Sequence, residues 1–360
     1  MDHRVFNFSA GPSMLPVSVL ERAGAEITNY RGSGMSVMEM SHRSQVFDTI
    51  FQETKAKLRA ALQVPEEYEI LFLQGGASTQ FSAIPLNLMG EKGKADYAVT
   101  GNFSNVAFRE AGKYGAVRQA ASSADRGHTY IPPQSALEAD PEAAYFYYCA
   151  NNTIYGTEWQ YVPQVGEVPL VCDMSSDILS RTVDVSRYGL IFAGAQKNMA
   201  PAGLTVVIIK KELAGRHLPY TPLMLTYQTL IEKDSMYNTP PCWCIYILGL
   251  VLDWLEEQGG VAGMECIKHK KAQLLYDVLD DSRLFRCPVE PGSRSDMNVV
   301  FRTGSAELDD KFVKASIEAG FTNLKGHRSV GGMRASIYNA MPMEGVEKLC
   351  DFIRAFERAQ

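Results

Sequence analysis

Asp173 closes the apolar run Pro169-Leu170-Val171-Cys172, and Lys197 follows Leu190-Ile191-Phe192-Ala193 within Gly194-Ala195-Gln196-Lys197-Asn198. Apolar runs this short read as strands, which puts both side chains at the carboxyl ends of strands, where open α/β sheets bind their ligands. A single lysine is usually a solvated surface residue. Among small and apolar neighbours it can instead be a desolvated amine of lowered pKa, able to attack a carbonyl carbon. A third feature, Gln74-Gly75-Gly76-Ala77-Ser78-Thr79-Gln80, lies between a predicted strand and a predicted helix. Small residues there permit close approach, and the free N–H groups of a helix start attract an anion. No Gly-Lys-Ser/Thr follows, and the G-x-G-x-x-G spacing is lacking, so by itself this segment is more simply an ordinary glycine-rich turn.

Together, an acid, a lysine and an anion cradle meet the needs of one small ligand. Pyridoxal 5'-phosphate requires a lysine for its Schiff base, a carboxylate to hold the proton on its pyridine nitrogen, and a helix N-terminus for its phosphate. Two more polar clusters lie outside this set: Ser41-His42-Arg43, and Lys325-Gly326-His327-Arg328 with Arg334. Arginine binds carboxylate or phosphate through two parallel hydrogen bonds, so three arginines with two histidines suit a dianionic or trianionic substrate. Taken one at a time, each cluster could equally be exposed surface. Gly326 and Gly331-Gly332 favour a ligand, because glycine lets backbone and ligand come close. His3, His128, His217 and His269 show no metal-ligand spacing and read as structural or exposed. Cys242 and Cys244, one residue apart beside Trp243, suit the buried face of a helix better than a zinc or redox pair.

The elements that must carry these residues alternate. A first helix begins at Pro16, and a longer one covers about Ser44 to Leu62. Then come strand Tyr68–Leu73, helix Ala77–Met89, strand Asp96–Thr100 and helix Ser104–Lys113, followed by apolar runs at 144–149, 169–172, 190–193 and 205–209. This order predicts an α/β fold, a mainly parallel doubly wound sheet. After the loop Met236–Pro241 the pattern changes to two long helices, Trp243–Gln258 and Val261–Asp280, broken by Gly259-Gly260. Strand Asn298–Arg302, helix Glu307–Ala319, strand Met333–Tyr338 and helix Glu344–Arg358 complete the chain. We therefore expect a large α/β domain over residues 16–258 and a smaller α+β domain from residues 1–15 and 259–360.

Composition narrows the function classes. With 35 Lys+Arg against 41 Asp+Glu, the net charge of -6 offers no basic field for nucleic acid. Hydrophobic residues at 46% of 360 leave room for a sizeable core and make whole-chain disorder untenable. The seven cysteines are an odd number without a C-x-x-C pair, which fits a reducing compartment. The beginning of the chain lacks an apolar signal region, and the longest apolar stretch, Cys242 to Leu252, is too short to cross a bilayer. A cytoplasmic protein with no membrane partner is expected.

Five segments, spread nearly from end to end, resemble the class V aminotransferases of the type I pyridoxal-phosphate fold, and among them those acting on phosphoserine. They are Phe6-Asn7-Phe8-Ser9-Ala10-Gly11-Pro12, Ser36-Val37-Met38-Glu39-Met40-Ser41-His42-Arg43, Ala193-Gly194-Ala195-Gln196-Lys197-Asn198, Asn238-Thr239-Pro240-Pro241, and Lys325 through Ser336. The resemblance implies a homodimer with active sites shared between subunits, interconverting O-phospho-L-serine plus 2-oxoglutarate and 3-phosphooxypyruvate plus L-glutamate in serine biosynthesis. It leaves phosphohydroxythreonine, of vitamin B6 synthesis, open as a second substrate. Lys197 would hold the cofactor and shuttle protons, Asp173 would hold the ring proton, and Thr153 would bond near the ring oxygen. Ala77, Ser78, Ser175 and Gln196, with Asn238 and Thr239 from the neighbouring subunit, would bind the cofactor phosphate. Arg334 would clamp the substrate α-carboxylate, and His42, Arg43, His327 and Arg328 would read its phosphate or distal carboxylate.

Two departures stand out. Phe103 occupies the ring-stacking position where many relatives carry tryptophan, and Ala77-Ser78-Thr79 replaces a stretch that holds an arginine in some. Two other classes stay open. One is a cysteine desulfurase, for which Cys287 is the candidate nucleophile, and the other a sensor that binds the cofactor without turnover.

Overall fold

In the computed structural model, which describes residues 4–360, seven strands form one sheet. His3 lies outside the described residues. Across the sheet the order is Tyr68–Leu73, Thr205–Lys210, Leu190–Gly194, Leu170–Asp173, Phe146–Cys149, Lys94–Val99 and Ala116–Ser122. From Leu190–Gly194 to Ala116–Ser122 every pairing is parallel, while Thr205–Lys210 runs antiparallel to both its neighbours. The expected mainly parallel α/β sheet is present, with that one strand reversed. No helix lies between Gly194 and Thr205, and a connection too short for a crossover brings the chain back antiparallel. The edge strand Ala116–Ser122 escapes sequence reading because Arg118, Gln119 and small residues dominate it, as an exposed edge allows.

Both faces of the sheet are covered, which is why its strands read as unbroken apolar runs rather than alternating ones. Ile70 and Phe72 enter one core with Phe47, Phe51 and Ile245, whereas Leu71 and Leu73 enter another with Phe81, Tyr97 and Phe192. On the first face, helix Gln45–Ala61 starts where the Ser44 hydroxyl accepts from the Phe47 N–H, and it buries Phe47, Ile50, Phe51, Thr54 and Leu58 at helical spacing. It packs on helix Cys242–Glu257 so closely that a Cβ at Gly249 would lie 2.6 Å from Thr54 Oγ1. On the second face lie helices Gly76–Leu88 and Asn102–Ala111.

A third core gathers the chain's two ends. Phe8 packs there with Phe285, Phe301, Phe312 and Phe321, and with Leu349, Ile353 and Phe356 of helix Met343–Arg358. Strand Asn298–Phe301 pairs antiparallel with Met333–Ser336, and Phe6–Asn7 pairs with Phe321–Thr322. Helix Gly260–Asp281 belongs to two cores: Val261 and Met264 pack with the first, Ala272 through Leu279 with the third. None of the helices among the described residues is long and apolar enough to cross a membrane.

Candidate active site

Lys197 sits in the turn after strand Leu190–Gly194, and its Nζ donates to Thr153 Oγ1 at 2.8 Å. The same nitrogen lies 5.6 Å from the centre of the Phe103 ring. Burial pushes its pKa down, and the nearby Asp173 carboxylate opposes that shift. Its stem needs the glycine at 11. There φ is +138°, and a Cβ would come within 3.3 Å of Lys197 Cγ. The turn is anchored by Ser13, whose N–H donates to the Gln196 carbonyl at 2.9 Å and whose hydroxyl donates to the Lys197 carbonyl.

Asp173 ends strand Leu170–Asp173, buried, with its Oδ1 accepting the Ser175 N–H at 2.9 Å. Burial raises its pKa, while Ser175 and the Lys197 charge pull it back. Ser175 is itself fixed, because its Oγ accepts the Gly194 N–H at 3.0 Å and so ties the Asp173 and Lys197 strands together. The glycine cradle opens helix Gly76–Leu88: Gly75 and Gly76 have φ of +94° and +70°, and no side chain caps the helix. Its first N–H groups therefore have neither an intrahelical partner nor a capping oxygen and are available to an anion.

These pieces line one cavity of about 370 Å³. Ala77 and Ser78 enter it from the cradle, Phe103 from helix Asn102–Ala111, and Thr153 from the loop after Asn152. Asp173, Ser175, Gln196 and Lys197 form its floor, and His327 and Arg334 close it from the third core's side. Arg334 donates from Nη1 to the Thr153 carbonyl at 3.2 Å, while its buried Nε has no partner. Thr153 thus serves both ends: its hydroxyl meets Lys197 and its carbonyl meets Arg334. Cys149, Asn151, Ser176 and the Ala10-Gly11 pair also line the cavity. Of these, Ala10-Gly11 lay in a segment singled out from the sequence and Asn151 stands in the stretch that carries Thr153; buried cysteine and serine carry no spacing that would mark them.

The other expected residues stand outside this cavity. Asn238 Nδ2 donates to Gln74 Oε1 at 3.1 Å and the Thr239 carbonyl accepts from Gln74 Nε2 at 2.7 Å, so this loop rests just before the cradle. Arg43 and Arg328 are exposed, and His42 is half-buried with its Nε2 unpartnered. Cys287 does not line the cavity, and burial raises its thiol pKa, the reverse of an activated nucleophile.

The donor set fits pyridoxal phosphate. A desolvated amine, a buried carboxylate, an uncapped helix start and an aromatic face surround one cavity, and no oxygen of this chain fills the cradle.

Comparisons with known proteins agree with that geometry. Residues 5–349 match the family described as aminotransferase class-V. The chain is 53% identical to a phosphoserine aminotransferase of Laribacter hongkongensis, covering 98% of this chain and 99% of that one. Its structure superposes on a phosphoserine aminotransferase from Bacillus circulans subsp. alkalophilus with a TM-score of 0.97 and 47% identity, over 99% of each chain. A pyridoxal-phosphate-bound phosphoserine aminotransferase from Trichomonas vaginalis gives 0.94 and 41%, over 98% of this chain and 100% of that one. On these matches, and with that cavity, the chain belongs to the class V aminotransferase family.

Proposed function

We infer that this protein uses pyridoxal phosphate to interconvert O-phospho-L-serine plus 2-oxoglutarate and 3-phosphooxypyruvate plus L-glutamate. The observation that carries the reading is the single cavity holding Lys197, Asp173, the uncapped helix start and Arg334. The phosphoserine aminotransferases it resembles support the choice of substrate.

When bound, the cofactor supplies an electron sink for the bond broken at the amino acid's Cα. Ala77 and Ser78 N–H groups, with Ser175 and Gln196, would hold its phosphate, and Phe103 would cover its ring. Asp173 would hold the proton at the pyridine nitrogen, and Thr153 Oγ1 would bond near the ring oxygen. Lys197 Nζ would take the proton from the substrate Cα and later return it, a role that needs an amine unprotonated near neutral pH. Arg334 binds the α-carboxylate through the face that its orphaned Nε now leaves unpaired. His327, with His42, Arg43 and Arg328, reads the phosphate or the distal carboxylate of glutamate. The test is direct: phosphoserine added to holoenzyme without keto acid should bleach the cofactor's visible absorption. A band that persists would overturn the reading.

We further read the enzyme as a cytoplasmic homodimer whose partner's Asn238 and Thr239 complete the cofactor site. Segments carrying Arg43 and Asn238 also expose Met35, Met38 and Val46, and Leu223, Met224 and Tyr237, apolar surface that a second copy would cover. Seven free cysteines suit a reducing compartment. If sites are shared, a Lys197→Ala chain and an Asn238→Asp/Thr239→Asp chain, each inactive alone, should recover about a quarter of full activity after co-refolding in a two-fold dimer. Hybrid dimers without recovered activity would rule out sharing.

A further inference from the structure

Behind the cavity, Asn298 joins two segments that are far apart in sequence. It opens strand Asn298–Phe301 and is fully buried. Its Nδ2 donates to Ser336 Oγ at 2.9 Å and Tyr338 OH at 3.1 Å, and its Oδ1 accepts from Asn151 Nδ2 at 2.7 Å. A buried amide with all three of these bonds made is strongly oriented, because any rotation leaves a polar atom unpaired.

The places these bonds reach give the cluster its meaning. Ser336 lies two residues beyond Arg334 on strand Met333–Ser336, so both side chains leave the same face of the strand. Asn151 lies two residues before Thr153, whose carbonyl receives Arg334. The Arg334–Thr153 contact is thus one rung between the two segments, and Ser336–Asn298–Asn151 is the next. Asn151 is braced in turn, donating to Ser176 Oγ at 2.8 Å and accepting from Ser295 Oγ at 2.5 Å. Tyr338 extends the brace to the cavity wall by donating to the Ala10 carbonyl at 2.8 Å.

We propose that Asn298 is a positioning residue that sets the span between the Arg334 guanidinium and the Lys197 amine through the shared Thr153. This deepens the reading given above and rests on Arg334 binding the substrate α-carboxylate. Without the second rung, Arg334 keeps its strand pairing but can slide relative to Thr153, so carboxylate capture weakens before proton transfer does.

The experiment is a double-mutant cycle on holoenzyme, read as KM and kcat with alanine, glutamate and phosphoserine. Asn298→Ala should raise KM about tenfold for all three, since they share only the α-carboxylate end, with kcat changed less than about twofold. Arg334→Lys should raise all three KM values more. In the double variant the two factors should multiply to well above the observed increase, because one change acts through the other. A fully multiplicative result, an effect confined to phosphoserine, or a fall in kcat alone would overturn the proposal. Should Asn298→Ala not fold, Ser336→Ala removes one of Asn298's partners only and should raise the same three KM values about threefold, and unchanged values would again overturn it. If Arg334→Lys itself leaves every KM unchanged, the carboxylate reading of Arg334 fails and this proposal with it. If only Arg334→Lys acts, Asn298 alone is excluded. Affinity of the cofactor-free variants for pyridoxal phosphate should match wild type, because Asn298 touches no part of the cradle.

Discussion

Lys197 and Lys271 are both withdrawn from bulk water, and burial lowers the pKa of each, yet they occupy opposite kinds of surroundings. Lys197 borders a cavity, with one hydroxyl partner, a carboxylate nearby and open space beyond. Lys271 is sealed beneath the turn after strand Met333–Ser336, donating to the carbonyls of Tyr338 at 2.7 Å and Met341 at 3.0 Å, with Asn339 farther off at 3.4 Å. Its pKa falls to about 7. A neutral amine has two N–H bonds to give, and two of the three contacts are short. The contrast teaches that desolvation alone makes no reactive lysine. Reactivity needs desolvation beside an accessible volume and a carboxylate that keeps the charge tunable.

Breaking that comparison calls first for removing each amine. Lys197→Ala should lower turnover by about 10⁴-fold or more, whereas Lys271→Met should leave kcat within about twofold. Borohydride reduction of holoenzyme followed by peptide mapping should label Lys197, and label on Lys271 would reverse the assignment. Next in size is Asp173→Asn, which keeps the cavity's shape but removes the carboxylate that Lys271 lacks. We expect about a hundredfold loss in the rate of the half-reaction with phosphoserine under single turnover, with cofactor retained. An unchanged rate would contradict the role.

A smaller effect sharpens the comparison from the substrate side. Arg43→Ala should raise KM for phosphoserine and glutamate about tenfold and for alanine hardly at all, because only the first two carry a distal anion. Equal losses across the three would place Arg43 elsewhere. The smallest effect concerns stability. Between pH 7 and about 10 the unfolded chain keeps a proton on Lys271 that the native chain has shed, so this residue makes stability rise with pH there, by at most about 1.4 kcal/mol per unit. Thermal melts of wild type minus Lys271→Met should show that upward slope. A downward slope would mean that the carbonyls hold Lys271 as an ammonium.

Sequence alone marked Asp173, Lys197 and the Gly75-Gly76 turn because each follows a short apolar run that reads as a strand, and strand ends are where this class of sheet gathers ligands. It marked Arg334 and His327 by charge among glycines. The Thr153 bridge, the Asn298 rung and Lys271 were illegible for a common reason: each depends on which remote segment lies opposite, and a polar residue in an apolar run does not name its partner. The reversed strand was hidden for a similar cause, since residues 205–209 are equally apolar in either direction and only the absence of a helix after Gly194 sets the sense. His42, Arg43 and Arg328 stand apart from the cavity, and charge read along a sequence does not report how far from the cavity a side chain will lie.

The reversed strand also bears on the order in which the site is made. Because Thr205–Lys210 returns directly beside Leu190–Gly194, Lys197 rides in the closing loop of a two-strand unit whose contacts are close in sequence. Loops of this length close at small entropic cost, whereas docking Tyr68–Leu73 against the same strand joins segments more than a hundred residues apart. The lysine's turn can therefore be shaped during folding before the cradle that faces it arrives, and the anion-binding helix start is then added to a lysine already in place.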